Sequence, residues 1–133
     1  QLQDSEEIRE KKNDIFEIYR RELDDMPSVS IQNSDDCVHS NWMFGIRIHN
    51  NSGYARTKHF FRKNGIETRP MFYPASVHKY LKNYKQVEFG DETNSSILNN
   101  ECLLLPSYPS LTKEDLEHII LTVKKYTLNE REK

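Results

Sequence analysis

The sequence predicts an α+β fold: a small, mainly antiparallel sheet covered by helices on one face. Three observations carry this expectation. Residues 41–49, "NWMFGIRIH", alternate between apolar and other side chains, the period of a half-buried strand. Residues 111–128, "LTKEDLEHIILTVKKYTL", combine a helix start signal with a helical apolar stripe. Finally, few connections along the chain look like repeated βαβ crossovers.

The elements follow in order. Ile8, Ile15, Ile18, Tyr19 and Leu23 recur at helical spacing, so a helix is expected to about Leu23, with Pro27 ending it. Its other face carries Glu6, Glu7, Arg9, Lys11 and Lys12, read as a solvated surface. "SVSIQ" reads as a short strand and "NSDDCVHS" as a polar loop. In the alternating strand, Trp42, Phe44, Ile46 and Ile48 point one way, which places Trp42 in the core; Met43, Gly45, Arg47 and His49 point the other way. Ser52 is a candidate N-cap for a helix over "GYARTKHFFRKNG", with Tyr54, Ala55, Phe60 and Phe61 on its apolar side and Gly65 as a left-handed C-terminal cap.

"IETRPMFY" is a second strand, restricted by Pro70 to a sheet edge or broken there, because proline donates no ladder hydrogen bond. "VHKYLKNYK" is expected as a short helix and "GDETNSSILNN" as a loop running into a helical turn. "CLLLP" is a brief buried strand stopped by Pro106. In the last helix Thr112 and Asp115 form a capping-box pair, and Leu111 and Leu116 a hydrophobic staple. Leu116, Ile119, Ile120, Val123 and Thr127 make the stripe, and Lys124 and Lys125 lie towards the C-terminus, where cations suit the helix dipole.

Bulk properties exclude several classes. The length of 133 residues fits one domain. A net charge of −2, without a long basic run, offers no field for nucleic acid or an anionic membrane. No apolar stretch approaches the ~18 residues a spanning helix needs. Cys37 and Cys102 form no metal-type CxxC pair and read as reduced thiols in a cytoplasmic protein, Cys102 being the buried one. The chain opens on a charged helix without an initiator methionine or an introductory strand, which reads as a piece of something longer.

Chemistry-bearing motifs are sparse. His39, His49, His59, His78 and His118 show no metal-ligand spacing, and neither a GxSxG turn nor a Gly-rich phosphate loop occurs. A thiol or serine hydrolase therefore lacks a nucleophile motif. Arg69 stands out in "GIETRPMFYP": its guanidinium fork suits a carboxylate or phosphate. Two readings stay open, an ion pair with Glu67 or a nearby acid, and an anion anchor at a pocket rim with Tyr73 and His78 as polar neighbours.

"NGIETRPMFYP" followed by "LLLPSYPSLTKEDLEHIILTVKKY" resembles the C-terminal part of the DegT/DnrJ/EryC1/StrS aminotransferases, pyridoxal-phosphate enzymes that aminate nucleotide-linked keto sugars. "IFEIYRREL" and "NWMFGIRI" extend the resemblance over roughly residues 5–127, and "TRPMFYP" is similar to the perosamine-synthase-like branch. The resemblance implies the small domain of a fold-type I aminotransferase: residues 1–26 as the helix between domains, residues 27–133 as the small C-terminal domain. It places the Schiff-base lysine and most phosphate contacts in a large domain that this chain does not contain, and no lysine here matches that motif. It further implies a homodimeric parent that uses glutamate as donor, and a chain that binds no pyridoxal phosphate and transfers no amino group alone. Arg69, Tyr73 and His78 become candidate contacts to the nucleotide sugar. "ASV" separates His78 from the Tyr-Pro pair, a departure from relatives in which a histidine follows sooner. The competing reading is a free-standing, non-catalytic binding or dimerisation module that kept the fold.

Overall fold

The computed structural model of the 133-residue chain describes residues 4–32, 38–51, 53–81 and 94–131. Cys37 and Ser52 lie outside the described residues, as does "KNYKQVEFGDET"; the helix that begins at Tyr54 has Gly53 at its N-cap position, one residue after the expected Ser52. The elements run α1 (Ser5–Leu23), β1 (Val29–Ile31), β2 (Phe44–Ile48), α2 (Tyr54–Lys63), β3 (Arg69–Pro70), two 3-10 turns (Ala75–Val77 and Lys79–Leu81), α3 (Asn94–Glu101), β4 (Cys102–Leu105) and α4 (Lys113–Arg131). The expected α+β class is observed. Four strands form one sheet in the order β1-β2-β4-β3, every neighbouring pair antiparallel.

The last strand in sequence is thus inserted between two earlier ones. β2 and β3 run parallel with β4 between them, and α2 makes the crossover, a split βαβ arrangement. The register sets Phe44 opposite Leu105 and Ile46 opposite Leu103. These residues, with Ile48 and Val29, face a single core built with Ile15, Phe16, Tyr19 and Leu23 of α1, Phe61 of α2, and Leu116 to Tyr126 of α4. Phe44 is clasped by α1: its ring stacks on Tyr19 at 4.7 Å and meets Phe16 edge-on at 4.9 Å. Each such side chain contributes about 1.5–3 kcal/mol by leaving water.

Local signals act as expected at three places. Thr112 N–H donates to Asp115 Oδ2 and Asp115 N–H to Thr112 Oγ1, both at 3.1 Å, closing the capping box. Gly65 has φ +76 and ends α2 in a Schellman motif: Ile66 N–H reaches Phe61 O at 3.0 Å and Gly65 N–H reaches Arg62 O at 3.1 Å. β3 is an edge strand, and it is the short version that Pro70 allows.

Other expectations are corrected. The predicted strand over residues 66–73 shrinks to Arg69–Pro70, because beyond Pro70 the carbonyls of Met71 and Phe72 accept from the Asn99 side chain of α3, at 3.0 and 3.4 Å, instead of from a strand. Ile8 and Ala55 are exposed, since among the described residues no other element covers those turns. α1 ends four residues ahead of Pro27, which lies beyond the turn after the helix. Lys124 and Lys125 sit inside α4 rather than at its end, and Lys124 Nζ donates to Glu22 Oε2 at 3.0 Å, tying α4 to α1. The helical turn before "CLLLP" is an eight-residue helix that runs directly into β4. Trp42 is not core: it precedes β2, is 66% exposed, and stacks on Phe72.

Candidate functional site

Two depressions flank the β3–β4 edge and share one wall. The first, about 650 Å³, opens where β4 runs into Pro106. Lys12, Trp42, Glu67, Arg69, Tyr108 and His118 are among its lining residues. The second, about 600 Å³, crosses the sheet face that α1, α2 and α4 leave open. Gly45, Arg47, Cys102 and Leu104 line it, with Met71, Phe72 and Leu98 beside them, and Trp42 again lines one side.

Cations dominate what is chemically available in the first cleft. Arg69 Nη2 lies 3.8 Å from Glu67 Oε1, and both side chains are more than three-quarters exposed. An ion pair that long and that wet is strongly screened and worth little, so the guanidinium fork is available to a second acceptor. Lys12 reaches in from α1 and donates to the Trp42 carbonyl at 2.7 Å. Partial burial pulls its ammonium below the usual lysine value. Of the acids, Asp115 is engaged in the α4 capping box. His118 Nε2 lies 2.7 Å from the Asn64 carbonyl, so that nitrogen carries the proton and pins α4 to the end of α2.

On the open face, Arg47 Nε donates to Glu101 Oε2 at 2.6 Å, half-buried, joining β2 to the end of α3. Cys102 lies at 4% exposure beneath this pair, and burial pushes its thiol from 9.0 up to about 11. That is an inert structural thiol, as its apolar neighbours predict. Gly45 allows the close packing here: a Cβ at that position would meet Leu104 Cδ2 at 3.3 Å and Met71 Cε at 3.6 Å. Among the described residues there is no group of histidine, cysteine, aspartate and glutamate side chains able to hold a metal ion.

The sequence-derived candidates are dispersed. Arg69 lines the first cleft, but Tyr73 and His78 do not. Tyr73 is exposed in the segment after β3, and His78 follows a 3-10 turn with its ring 5.3 Å from that of Tyr80. The chain's own described residues thus do not gather the three into one cavity. Conversely, Lys12 was read as part of a solvated face and Trp42 as core, yet both line the cleft. In the structure Trp42 follows Asn41, whose φ of +51 makes a turn there rather than the start of a strand.

Residues 1–124 match the profile of the DegT/DnrJ/EryC1/StrS aminotransferase family. The chain is 30% identical over 128 residues to the GDP-perosamine synthase of Vibrio cholerae, covering 95% of this chain and 34% of that protein. It is 25% identical over 127 residues to the GDP-perosamine synthase of Escherichia coli O157:H7, covering 95% and 33%. Its fold is similar to that of the putative sugar aminotransferase Spr1654 from Streptococcus pneumoniae, with TM-score 0.83 at 17% identity, covering 96% of this chain and 33% of that one. It is also similar to Helicobacter pylori PseC, an aminotransferase involved in pseudoaminic acid biosynthesis, with TM-score 0.80 at 17% identity, covering 97% and 35%. The chain spans about a third of the length of the curated relatives it matches.

Proposed function

Because this chain belongs to the DegT/DnrJ/EryC1/StrS aminotransferase family, we propose that it is the C-terminal domain of an enzyme that transfers an amino group, from glutamate, to a GDP-linked keto sugar. The observation that carries this reading is the match over residues 1–124 combined with a span of only a third of the GDP-perosamine synthases. In this reading residues 1–26 form the helix between domains, and residues 27–133 the small domain. The longer protein is a cytoplasmic homodimer. Its remaining two-thirds hold the cofactor and complete the site to which Arg69, Tyr73 and His78 contribute substrate contacts.

Pyridoxal phosphate, when bound in the longer protein, supplies the electron sink for moving an amino group. The residues described here do not fit it as a resident group. A lysine that forms a Schiff base must be held, largely desolvated, beside the cofactor. No described lysine is buried, and the two that are half-buried are already engaged, Lys12 with the Trp42 carbonyl and Lys124 with Glu22 Oε2. We therefore expect this chain by itself to be inactive, its side chains shaping one wall of the substrate site.

The test compares the 133-residue chain with a version extended through its upstream coding sequence, each supplied with pyridoxal phosphate, glutamate and a GDP-linked 4-keto sugar. The expected result is 2-oxoglutarate and amino sugar from the extended protein only. Turnover by the short chain sinks the inactivity, and an extended protein that binds the cofactor without turnover sinks the substrate reading. One observation favours a second reading, a free-standing binding or dimerisation module: the core cluster closes with this chain's own residues. An upstream frame without a family-type lysine would select it.

A further inference from the structure

The aromatic pair on the ridge between the two depressions does nothing for the core. Trp42 and Phe72 are each 66% exposed, with ring centroids 6.4 Å apart and planes 26° from parallel. Val38, Tyr80 and Leu121 are about as exposed or more so; what sets this pair apart is that the two rings stack on each other and that Trp42 lines the cationic cleft. The backbone under Trp42 is also held unusually firmly for an exposed residue. Lys12 Nζ holds its carbonyl at 2.7 Å, Asn41 Nδ2 donates to Asn13 Oδ1, and Asn41 N–H donates to His39 Nδ1 at 3.0 Å. The His39 ring in turn lies 6.0 Å from Phe16, a core residue. The indole is thus presented to solvent from a fixed base, so little ordering cost remains when something lands on it.

What could land there is limited by the neighbours. Trp42 lines the same cleft as Lys12 and Arg69. Among the described residues Lys12 has a carbonyl as its hydrogen-bond partner, and Arg69 has the long, exposed contact to Glu67. A planar ring on the indole, joined to a group with two or more negative charges, satisfies both features. A lone sugar or a lone phosphate satisfies one. We propose that Trp42, supported by Phe72, is the stacking platform for the base of a nucleoside diphosphate, with Lys12 and Arg69 facing its phosphates. This rests on the nucleotide-sugar reading and adds to it the place where the nucleotide half is gripped. Stacking on an indole tolerates any base, since each has a π face; the selectivity lies in requiring a base at all. Two carboxylates line the cleft: Asp115 is held by the Thr112 amide, and the incoming phosphate must replace Glu67 at Arg69.

Trp42 is the only tryptophan in the chain, so its emission reports directly on the site. The 133-residue chain is titrated with GDP, UDP, pyrophosphate and ribose 5-phosphate. Both nucleoside diphosphates are expected to quench the emission saturably, and the base-free compounds are not. By calorimetry, Trp42→Ala should weaken GDP binding at least tenfold and leave pyrophosphate binding unchanged, while Trp42→Phe recovers most of the loss. Phe72→Ala keeps the fluorophore and should weaken binding less. No quenching, quenching by pyrophosphate alone, or equal GDP affinity in Trp42→Ala overturns the platform. The underlying function fails separately. An extended protein that turns over with an unchanged KM for the nucleotide sugar in Trp42→Ala sinks the platform alone. A short chain that binds GDP through Trp42 while the extended protein never transaminates sinks the aminotransferase reading alone.

Discussion

On one side of the sheet, Phe44, Ile46, Ile48, Leu103 and Leu105 lie under α1, α2 and α4 in one cluster that leaves none of them more than 4% exposed. On the other side the same two strands present Gly45, Arg47, Cys102 and Leu104, with an ion pair among them and exposed aromatics at the rim. β2 alternates between buried and half-buried positions, whereas β4 is buried along all four of its residues, with β2 and β3 on its two sides. The difference shows where each kind of free energy resides. The covered side holds the apolar burial that makes the chain fold. The open side spends residues on charge, close approach and projecting rings, none of which the core needs.

Substitutions should separate the two sides, and the largest effect belongs to the covered one. Phe44→Ala removes a ring packed between Tyr19 and Phe16 and should cost about 3–5 kcal/mol, read by urea unfolding; a loss below about 1 kcal/mol would mean that this face is not packed as described. Alkaline pH attacks the open side next. The Cys102 thiol is raised from 9.0 to about 11 in the folded chain, so its contribution is complete below pH 9 and is lost as pH rises towards 11, about 2 kcal/mol in all. Burial raises the Tyr19 phenol as well, adding to the same alkaline loss. Comparing unfolding between pH 8 and pH 11 in wild type and Cys102→Ala isolates the thiol, and identical slopes would remove it as the cause.

Glu101→Gln keeps the shape but removes the charge that Arg47 binds at 2.6 Å. It should cost about 1.5 kcal/mol and speed the labelling of Cys102 beneath it; unchanged labelling would show that the pair does not shield the thiol. The smallest effect on stability is expected at the rim. Trp42→Ala should shift unfolding by no more than about 0.5 kcal/mol while weakening GDP binding, read by calorimetry, at least tenfold. If it instead unfolds the chain, the comparison between a structural and a functional face breaks at its most informative residue.

Much of this was legible beforehand, and the legible parts share a cause. The Thr112–Asp115 box, the Gly65 cap and the Phe44–Ile48 alternation are decided by atoms within a few residues of one another, so the local pattern carries them. Pro70 announced an edge because the missing donor is its own. Misreadings fell where a remote segment decided the outcome. Trp42 continues the apolar alternation by count, but the sheet ladder begins only at Phe44, and the 39–42 segment is bound instead to α1 through Asn13 and Lys12. Lys12 sits on a face otherwise charged and wet, and only the fold brings the Trp42 carbonyl to it. Arg69 was recognisable as an arginine in need of a partner, yet its distance from Tyr73 and His78 depends on Asn99 holding the backbone after Pro70 away from the sheet.

By itself, then, the chain's order of residues determined the apolar stripes of the first and last helices, the Phe44–Ile48 alternation and the Thr112–Asp115 and Gly65 caps, because these depend on backbone propensities and side-chain periods that act over one or two turns. The resemblance in "TRPMFYP" and its companions added the family. Only the tertiary structure decided that β4 slides between β2 and β3, which side of the sheet remains open, and that Trp42 stands outside with Lys12 beneath it. Exposure and pairing between distant residues depend on which segments arrive to cover them, and no period within a single segment encodes that arrival.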